Sequence, residues 1–165
     1  MSDYTYRPQQ VDYLGFLEAQ LRDLQGVDRL AYELIQNADD VPAQDGAPPT
    51  TLSFDVTDAA LVVQNDGVFR PVDFHRLQRI ASGAKRAEPD TTGAFGLGFI
   101  AVYQVTDAPE IFSNDLHWTI HPDAPPDRRI QEQRAETSGT RFYLPWALDP
   151  SSVVRRTLRL EAVQP

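Results

Sequence analysis

Cysteine is absent from this 165-residue chain, so its fold contains no disulfide bond and no zinc site built from thiolates. The three histidines, His75, His117 and His121, do not follow the spacing of known metal-binding motifs. Cysteine and histidine residues therefore indicate no metal site or catalytic function in this sequence. A weakly held magnesium ion on oxygen ligands stays open, because that ion needs neither residue type.

Long apolar runs and an excess of positive charge are also missing. No uninterrupted apolar stretch is long enough to cross a bilayer, and the first thirty residues lack a basic segment followed by an apolar one. Fifteen basic against twenty-four acidic residues give a net charge of −9, which disfavours attraction to nucleic-acid phosphates or anionic lipid. We therefore predict a cytoplasmic domain that binds neither membrane nor nucleic acid directly.

The apolar content, 41%, is ordinary for a globular protein, and the length suits a single domain over residues 1–165. Apolar residues at helical spacing predict helices over residues 9–25, from 27 to just before 42, over 71–80 and over 151–162. Alternating or continuous apolar segments predict strands over 51–57, 61–64, 110–113, 116–120 and 140–144. The short link between the first two strands predicts an antiparallel hairpin.

One predicted helix carries a line of polar residues. In the segment LAYELIQNADD (30–40), helical spacing places Glu33, Asn37 and Asp40 within an arc of roughly 60°. A separate apolar stripe is predicted to enter the core: Leu30, Ala31, Leu34, Ile35 and Ala38. Glu33 is suited to polarise a water molecule, and Asn37 offers a neutral oxygen to magnesium. Taken alone, the same string also describes an amphipathic helix with a solvated polar edge.

Two glycine-containing segments add features that suit a ligand site. Asn65-Asp66-Gly67 directly follows a predicted strand, so it delivers a polar side chain where the backbone turns, although it is also a common turn sequence. Gly93 to Gly98 precedes a predicted helix start, where exposed N–H groups and the helix dipole favour a phosphate. Those glycines could instead only ease helix packing. The polar segment 82–94 is the candidate lid.

In this order, the motifs resemble those of the GHKL family of ATPases, which share the Bergerat fold and include gyrase B and the ninety-kilodalton heat-shock chaperones. ELIQNADD is most similar to sacsin-type repeats, while IASGAK, GAFGLGF and SGTRFYL resemble the lid entry, second glycine box and final Gly-Thr strand of the chaperones. The resemblance spans residues 33–140. We expect an α/β (α+β) two-layer sandwich: a mixed, mostly antiparallel sheet with helices on one face and nucleotide between the helices and the lid.

The resemblance implies ATP and magnesium as ligands. By position, Glu33 activates the attacking water, Asn37 ligates magnesium and Asp40 braces the helix. Asn65 stands where most of the family has an aspartate that binds the adenine amine, and Phe69 stands where it has a second glycine. An asparagine oxygen still accepts that hydrogen bond, but without charge. The other nucleotide-binding residues implied are Gly67, Ser82, Gly93, Phe95, Gly96, Gly98, Phe99 and Thr140.

The implied function is ATP binding with slow magnesium-dependent hydrolysis that drives lid closure in a chaperone-like or sacsin-like protein. The implied partners are nucleotide, a protein client, and other domains of a longer chain or a second subunit that complete the active site, so the isolated domain is expected to be a weak ATPase. The alternative is a non-hydrolysing nucleotide-binding or protein-interaction module of the same fold. Asn65 and Phe69 favour this alternative, whereas Glu33 and Asn37 oppose it.

Overall fold

A six-stranded antiparallel sheet forms one layer of the fold. The computed structural model describes residues 13–43, 46–81 and 97–164. The strands are β1 (Leu52–Val56), β2 (Ala60–Asn65), β3 (Glu110–Ser113), β4 (Leu116–Ile120), β5 (Ile130–Arg134) and β6 (Thr140–Pro145). Their order in the sheet is β1-β2-β6-β3-β4-β5, and all five pairings are antiparallel. The predicted hairpin of the first two strands is confirmed.

Helices form the second layer. They are α1 (Tyr13–Leu21), α2 (Val27–Asp39), α3 (Pro71–Ala81), a 3-10 helix (Leu97–Gln104), a short 3-10 turn (Pro126–Arg128) and α4 (Val153–Leu158). The start of α3 shows how local sequence sets these bounds. Pro71 needs no hydrogen bond at the first helical position, and the Asp73 carboxylate accepts from the Arg70 N–H at 2.8 Å. Among the described residues, no helix has the length and apolarity to cross a membrane.

The sheet buries only one of its faces. In β2, Leu61 and Val63 are buried while Gln64 is exposed. In β6, Phe142 is buried while Arg141 is exposed. Because successive side chains of a strand point to opposite faces, this alternation shows that the helices cover one side of the sheet. The predicted two-layer α+β sandwich is confirmed, with an antiparallel sheet.

Strand β5 and the ends of two helices differ from the sequence prediction. The sequence predicts no element over residues 130–134, because the segment IQEQR has a single apolar residue and no alternating pattern, and α1 ends at Leu21 instead of 25. Strand β5 is an edge strand, so its side chains need not enter the core, and hydrogen bonding to β4 holds it in place. The last helix was predicted over 151–162 but ends at Leu158, where Arg159 adopts a left-handed conformation with φ 55°.

Candidate functional site

The 3-10 helix fixes the start of α2. The Gln104 side chain accepts a hydrogen bond from the Gly26 N–H and donates one to the Leu24 carbonyl, both at 2.8 Å. Gly26 precedes α2 with φ 106°, a conformation that favours glycine. The turn between α1 and α2 is therefore held by a side chain that lies far away in sequence. This contact sets where α2 begins and how its polar residues are presented.

Glu33 lies where α2 meets the 3-10 helix. Its side chain is 14% exposed and forms an ion pair with Arg29, one turn earlier, at 2.8 Å. Gly98 lies directly against it, since a Cβ atom at residue 98 would overlap the Glu33 carboxylate. The absence of a side chain at Gly98 is thus what leaves room for the carboxylate. The structure brings together Glu33 and Gly98, two residues that the sequence predicted for one site.

The other two residues of the predicted polar line on α2 differ in how far they are buried. Asn37 is buried, with 5% of its surface exposed, whereas Asp40 is the exposed residue that caps the helix C-terminus. The core-facing side of α2 consists of Leu30, Leu34, Asn37 and Ala38. The prediction that Ile35 enters the core is wrong, because the buried arc is centred on Leu34 and Ile35 falls about 100° away from it. Asn37 therefore occupies part of the face that the prediction gave to an apolar side chain.

The turn after β2 is closely packed against the end of α2. Asn65 is buried, and its side-chain oxygen accepts a hydrogen bond from the Gly67 N–H at 2.9 Å. A Cβ atom at Gly67 would overlap the backbone carbonyl of Val41. The Val68 N–H also donates to the Pro42 carbonyl at 2.9 Å. The Asn-Asp-Gly sequence is a turn, as its composition indicates, and it is also one wall of the region around α2.

A chain of hydrogen bonds crosses the inner face of the sheet behind this turn. The Thr140 hydroxyl donates to the Gly67 carbonyl at 2.8 Å and lies 2.7 Å from the Ser113 hydroxyl. Since the Thr140 proton goes to Gly67, Ser113 donates to Thr140, and Ser113 accepts in turn from the Phe69 N–H at 2.9 Å. The Thr140 hydroxyl therefore donates one hydrogen bond and accepts another within the protein. The nucleotide-binding role that the resemblance implies for Thr140 stays a prediction.

Asp66 fixes the outer side of the same turn. Its carboxylate accepts hydrogen bonds from the Thr51 N–H at 3.0 Å and from the N–H and hydroxyl groups of Thr50. The Thr51 bond, followed by those from Thr50, lowers the pKa of Asp66 to about 2. Asp66 thus stays ionised under mildly acidic conditions and joins the turn to the start of β1.

Two phenylalanines of the predicted site belong to the core. Phe69 is buried, with its ring 5.0 Å from that of Phe74 and 6.2 Å from that of Phe142. Phe99 is also buried and lies 5.9 Å from Phe142. Phe99 anchors the first turns of the 3-10 helix in the core, and the nucleotide-binding role that the resemblance implies for it stays a prediction. The Phe69 ring packs into the aromatic cluster, and its equivalence to a glycine of the GHKL ATPases stays a prediction.

A cavity of about 460 Å³ opens at the ends of β1 and β2, beside the turn into β6. Its lining is mostly polar: Thr51, Leu52, Ser53, Gln64, Asn65, Asp66, Val68, Ser138 and Gly139. Of the predicted site residues, the described lining includes only Asn65. Ser82, Gly93, Phe95 and Gly96, with the candidate lid 82–94, lie outside the described residues, so the predicted phosphate loop is represented by Gly98 alone.

Comparison with known proteins identifies the family. The family described as "Sacsin domain" matches residues 50–150. The chain belongs to the sacsin domain family. It is 37% identical over 125 residues to "Sacsin" of Homo sapiens, a match that covers 66% of this chain and 3% of that protein. It is 32% identical over 123 residues to "Protein NO VEIN" of Arabidopsis thaliana, covering 68% of this chain and 4% of that protein.

The family match confirms the sacsin-type part of the predicted resemblance, and membership of the GHKL ATPases stays a prediction. Residues 50–150 of this sacsin domain contain the Asn65 turn, Gly98 and Thr140, whereas α2 with Glu33 precedes them. The chain spans 3 to 4% of the length of these relatives. Whatever the complete relatives do therefore involves many residues beyond the region of similarity.

Sequence reasoning missed three residues that shape the site. Arg29 had a readable signal, because an arginine four residues before a glutamate on a helix is a standard ion-pair spacing. Ser113 and Gln104 had none. Their roles depend on the pairing of β3 with β6 and on the packing of the 3-10 helix against the turn before α2.

Proposed function

We propose that this sacsin domain binds ATP with magnesium and hydrolyses the nucleotide slowly. The contact between Glu33 and Gly98 is the observation that carries the proposal. It joins the α2 motif to the end of the glycine-rich motif, and the resemblance to GHKL ATPases gives these two motifs one shared site. By the same resemblance, hydrolysis drives closure of a lid, and a following domain or a second subunit completes the site.

Glu33 is the proposed general base. Its carboxylate accepts a proton from a water molecule while that water attacks the terminal phosphorus, and the bond from phosphorus to the ADP oxygen breaks. Arg29 holds the carboxylate from the side, so the ion pair limits which directions Glu33 can face. Gly98 leaves the volume that the carboxylate needs. Both neighbours therefore act on the orientation of the base.

The donor set suits magnesium rather than a metal that requires several side chains. No group of three or more His, Cys, Asp or Glu side chains able to hold a metal occurs in the described ranges. Magnesium takes few protein ligands and retains waters, so the Asn37 amide oxygen, with the phosphates, forms an adequate set. When bound, the ion neutralises charge that develops on the phosphate oxygens. Asn37 and Glu33 both belong to α2, so one helix carries the proposed magnesium ligand and the proposed base.

Calorimetric titration with ATP and magnesium tests binding, and release of phosphate tests hydrolysis. We expect Glu33→Gln to retain binding and to lower the hydrolysis rate by about 100-fold or more, because general-base catalysis contributes about that much. Glu18→Gln is the matched control, since Glu18 also pairs with an arginine four residues away, at 3.3 Å, but on α1. A chain that takes up no ATP, or a Glu33→Gln variant with full activity, would exclude this function.

The second candidate is a non-hydrolysing module that uses nucleotide, or a protein partner, as a structural ligand. The ion pair between Arg29 and Glu33 favours it, because the guanidinium already occupies a carboxylate oxygen that would have to accept the proton of the attacking water. Under this candidate, the chain binds ATP without turnover, and Arg29→Ala does not start turnover. Under the ATPase proposal, Arg29→Ala changes the hydrolysis rate, because the base gains freedom to reorient.

A further inference from the structure

We propose that strand β1 is a dimerisation edge, which pairs with β1 of a second copy of this chain in an antiparallel arrangement. Strand β1 ends the sheet, because no other strand among the described residues pairs with its outer side. All five of its residues are exposed. The strand therefore presents a free row of backbone groups, which is the usual template for adding another strand.

The hydrogen-bond pattern shows which residues face outward. The Thr57 N–H donates to the Ala60 carbonyl at 2.9 Å, so this pair is hydrogen-bonded across the hairpin. Hydrogen-bonded pairs alternate along an antiparallel ladder, so Asp55 and Ser53 also bond to β2. The N–H and C=O groups of the residues between them point to the open edge: Leu52, Phe54 and Val56.

The same three residues also carry the exposed apolar side chains of the strand. Leu52, Phe54 and Val56 pair with Asn65, Val63 and Leu61, whose side chains are buried, so all three lie on the helix-covered side of the sheet. They nevertheless remain 36%, 43% and 74% exposed. Apolar side chains that point to the core side but lack a cover are unusual for an edge strand, which natural proteins normally protect with charges.

The order of apolar, hydroxyl and charged side chains along β1 selects a second copy of β1 as the occupant. With Phe54 opposite Phe54 of the second copy, Leu52 faces Val56, and Asp55 faces the Ser53 hydroxyl. The three outward-facing residues then form about six backbone hydrogen bonds, two for each pair. Centring the pairing on Asp55 would place two carboxylates opposite each other, which is unfavourable. The sequence LSFDV is thus complementary to its own reverse.

A comparison with the register centred on Ser53 also favours the pairing centred on Phe54. Pairing centred on Ser53 avoids the carboxylate clash, but it leaves Val56 opposite Thr50 and loses an apolar pair. The register centred on Phe54 keeps all three apolar residues facing apolar residues. This register also predicts a distance, because Cα atoms in a hydrogen-bonded antiparallel pair lie about 5.5 Å apart. Such a separation fits a disulfide bond.

The chain has no cysteine, so a single introduced thiol reports on one position. We expect Phe54→Cys to form a disulfide-linked dimer in oxidised glutathione at least about tenfold faster than Val72→Cys, because pairing raises the effective concentration of the thiols. Val72 is the matched control, since it is 44% exposed against 43% for Phe54 but lies on α3. Sedimentation of the unmodified chain should show a concentration-dependent dimer that Phe54→Lys removes and Val72→Lys leaves intact.

The register has its own test. A mixture of Leu52→Cys and Val56→Cys chains should yield mixed dimers faster than either variant links to itself. Equal cross-linking rates for Phe54→Cys and Val72→Cys overturn the proposal, whether or not a dimer sediments. Equal rates are the result expected if the β1 edge binds an extended segment of a different protein instead of a second copy of this chain. Faster linkage of Leu52→Cys to Phe54→Cys than to Val56→Cys overturns the register centred on Phe54.

Discussion

Two glycines of the site differ in what a methyl group would meet. At Gly98 the obstacle is the Glu33 carboxylate, the end of a flexible side chain, whereas at Gly67 it is the backbone carbonyl of Val41. A side chain can rotate away, but the backbone carbonyl is held by the fold. The two positions should therefore respond to alanine in different ways, one in function and the other in stability.

We expect Gly98→Ala to change the free energy of unfolding by less than about 1 kcal/mol, while lowering ATP hydrolysis about 100-fold through displacement of the base. Gly67→Ala should destabilise the domain by about 1 to 3 kcal/mol through overpacking. Denaturant unfolding and phosphate release measure the two effects. A Gly98→Ala variant that unfolds as readily as Gly67→Ala would contradict the distinction.

The Thr140 hydroxyl offers a second test. Thr140→Val keeps the volume of the side chain but removes the donor to the buried Gly67 carbonyl and the acceptor of the Ser113 hydroxyl proton, so we expect a loss of about 1 to 3 kcal/mol in unfolding free energy. Thr140→Ser retains the hydroxyl and should recover most of that loss. Equal destabilisation by the two variants would show that packing of the methyl group, which Thr140→Ser removes, matters as much as the hydrogen bonds.

Individual site residues were predictable to unequal degrees. Glu33, Asn37 and Gly98 belong to motifs that are local in sequence, so their spacing together with the family resemblance indicates them as candidates. The hydrogen bond from the Gly67 N–H to the Asn65 side-chain oxygen also joins residues that are close in sequence. The orientation of the Thr140 hydroxyl was not predictable, because it depends on Ser113, which pairing of β3 with β6 places beside it.

Among the elements, α4 is attached by an arginine that has no exposed surface. The Arg155 guanidinium pairs with Asp107 at 2.7 Å and donates to the carbonyl groups of Tyr103, Gln104 and Thr106, which end the 3-10 helix. A helix end leaves carbonyl groups without partners inside the helix. Arg155 satisfies them and links α4 to the helix that begins beside Glu33.

Replacing Arg155 should therefore loosen both elements. We expect Arg155→Met to lower the unfolding free energy by about 3 kcal/mol or more, because the buried carbonyl groups and Asp107 lose their partner. Arg156→Met is the control, since Arg156 is exposed on the same helix. Urea unfolding monitored by fluorescence compares them. Similar midpoints for the two variants would mean that the buried network adds little stability.

Most elements with an apolar pattern have bounds within two residues of the prediction, although α1 ends at Leu21 instead of 25 and α4 at Leu158 instead of 162. Strands β3 and β4 have their predicted bounds, and α2 begins at Val27 as expected. Each of these elements buries regularly spaced apolar side chains in the core, so the spacing of apolar residues in the sequence predicts the element. Strand β5 is held by backbone hydrogen bonds and by its edge position, neither of which leaves such a pattern.

For the molecule as a whole, two buried tyrosines set an upper limit on the pH of stability. Burial raises the pKa of Tyr13 to about 12 and raises the pKa of Tyr103 well above its usual value of 10.0. The folded state therefore keeps phenolic protons that the unfolded chain releases above pH 10. The stability they contribute is complete below that pH and is lost as the pH rises toward about 12.

We expect the unfolding free energy to fall by about 2 to 3 kcal/mol over this range for Tyr13 alone. Tyr13→Phe should reduce the slope, because a phenylalanine has no proton to release. Tyr32→Phe should leave it unchanged, since Tyr32 is exposed. Denaturant unfolding at a series of alkaline pH values measures the slope, and an identical slope in all three proteins would contradict the assignment.

The position of β6 has a consequence for biosynthesis. It is the last of the described strands along the sequence, yet it lies between β2 and β3 and is the only described strand that pairs with both halves of the sheet. On the ribosome, a hairpin and a three-stranded meander emerge first, each with an open edge, and neither can join the other until residues 140–145 are available. Translation that stops before this strand would release two unjoined half-sheets instead of a smaller working domain.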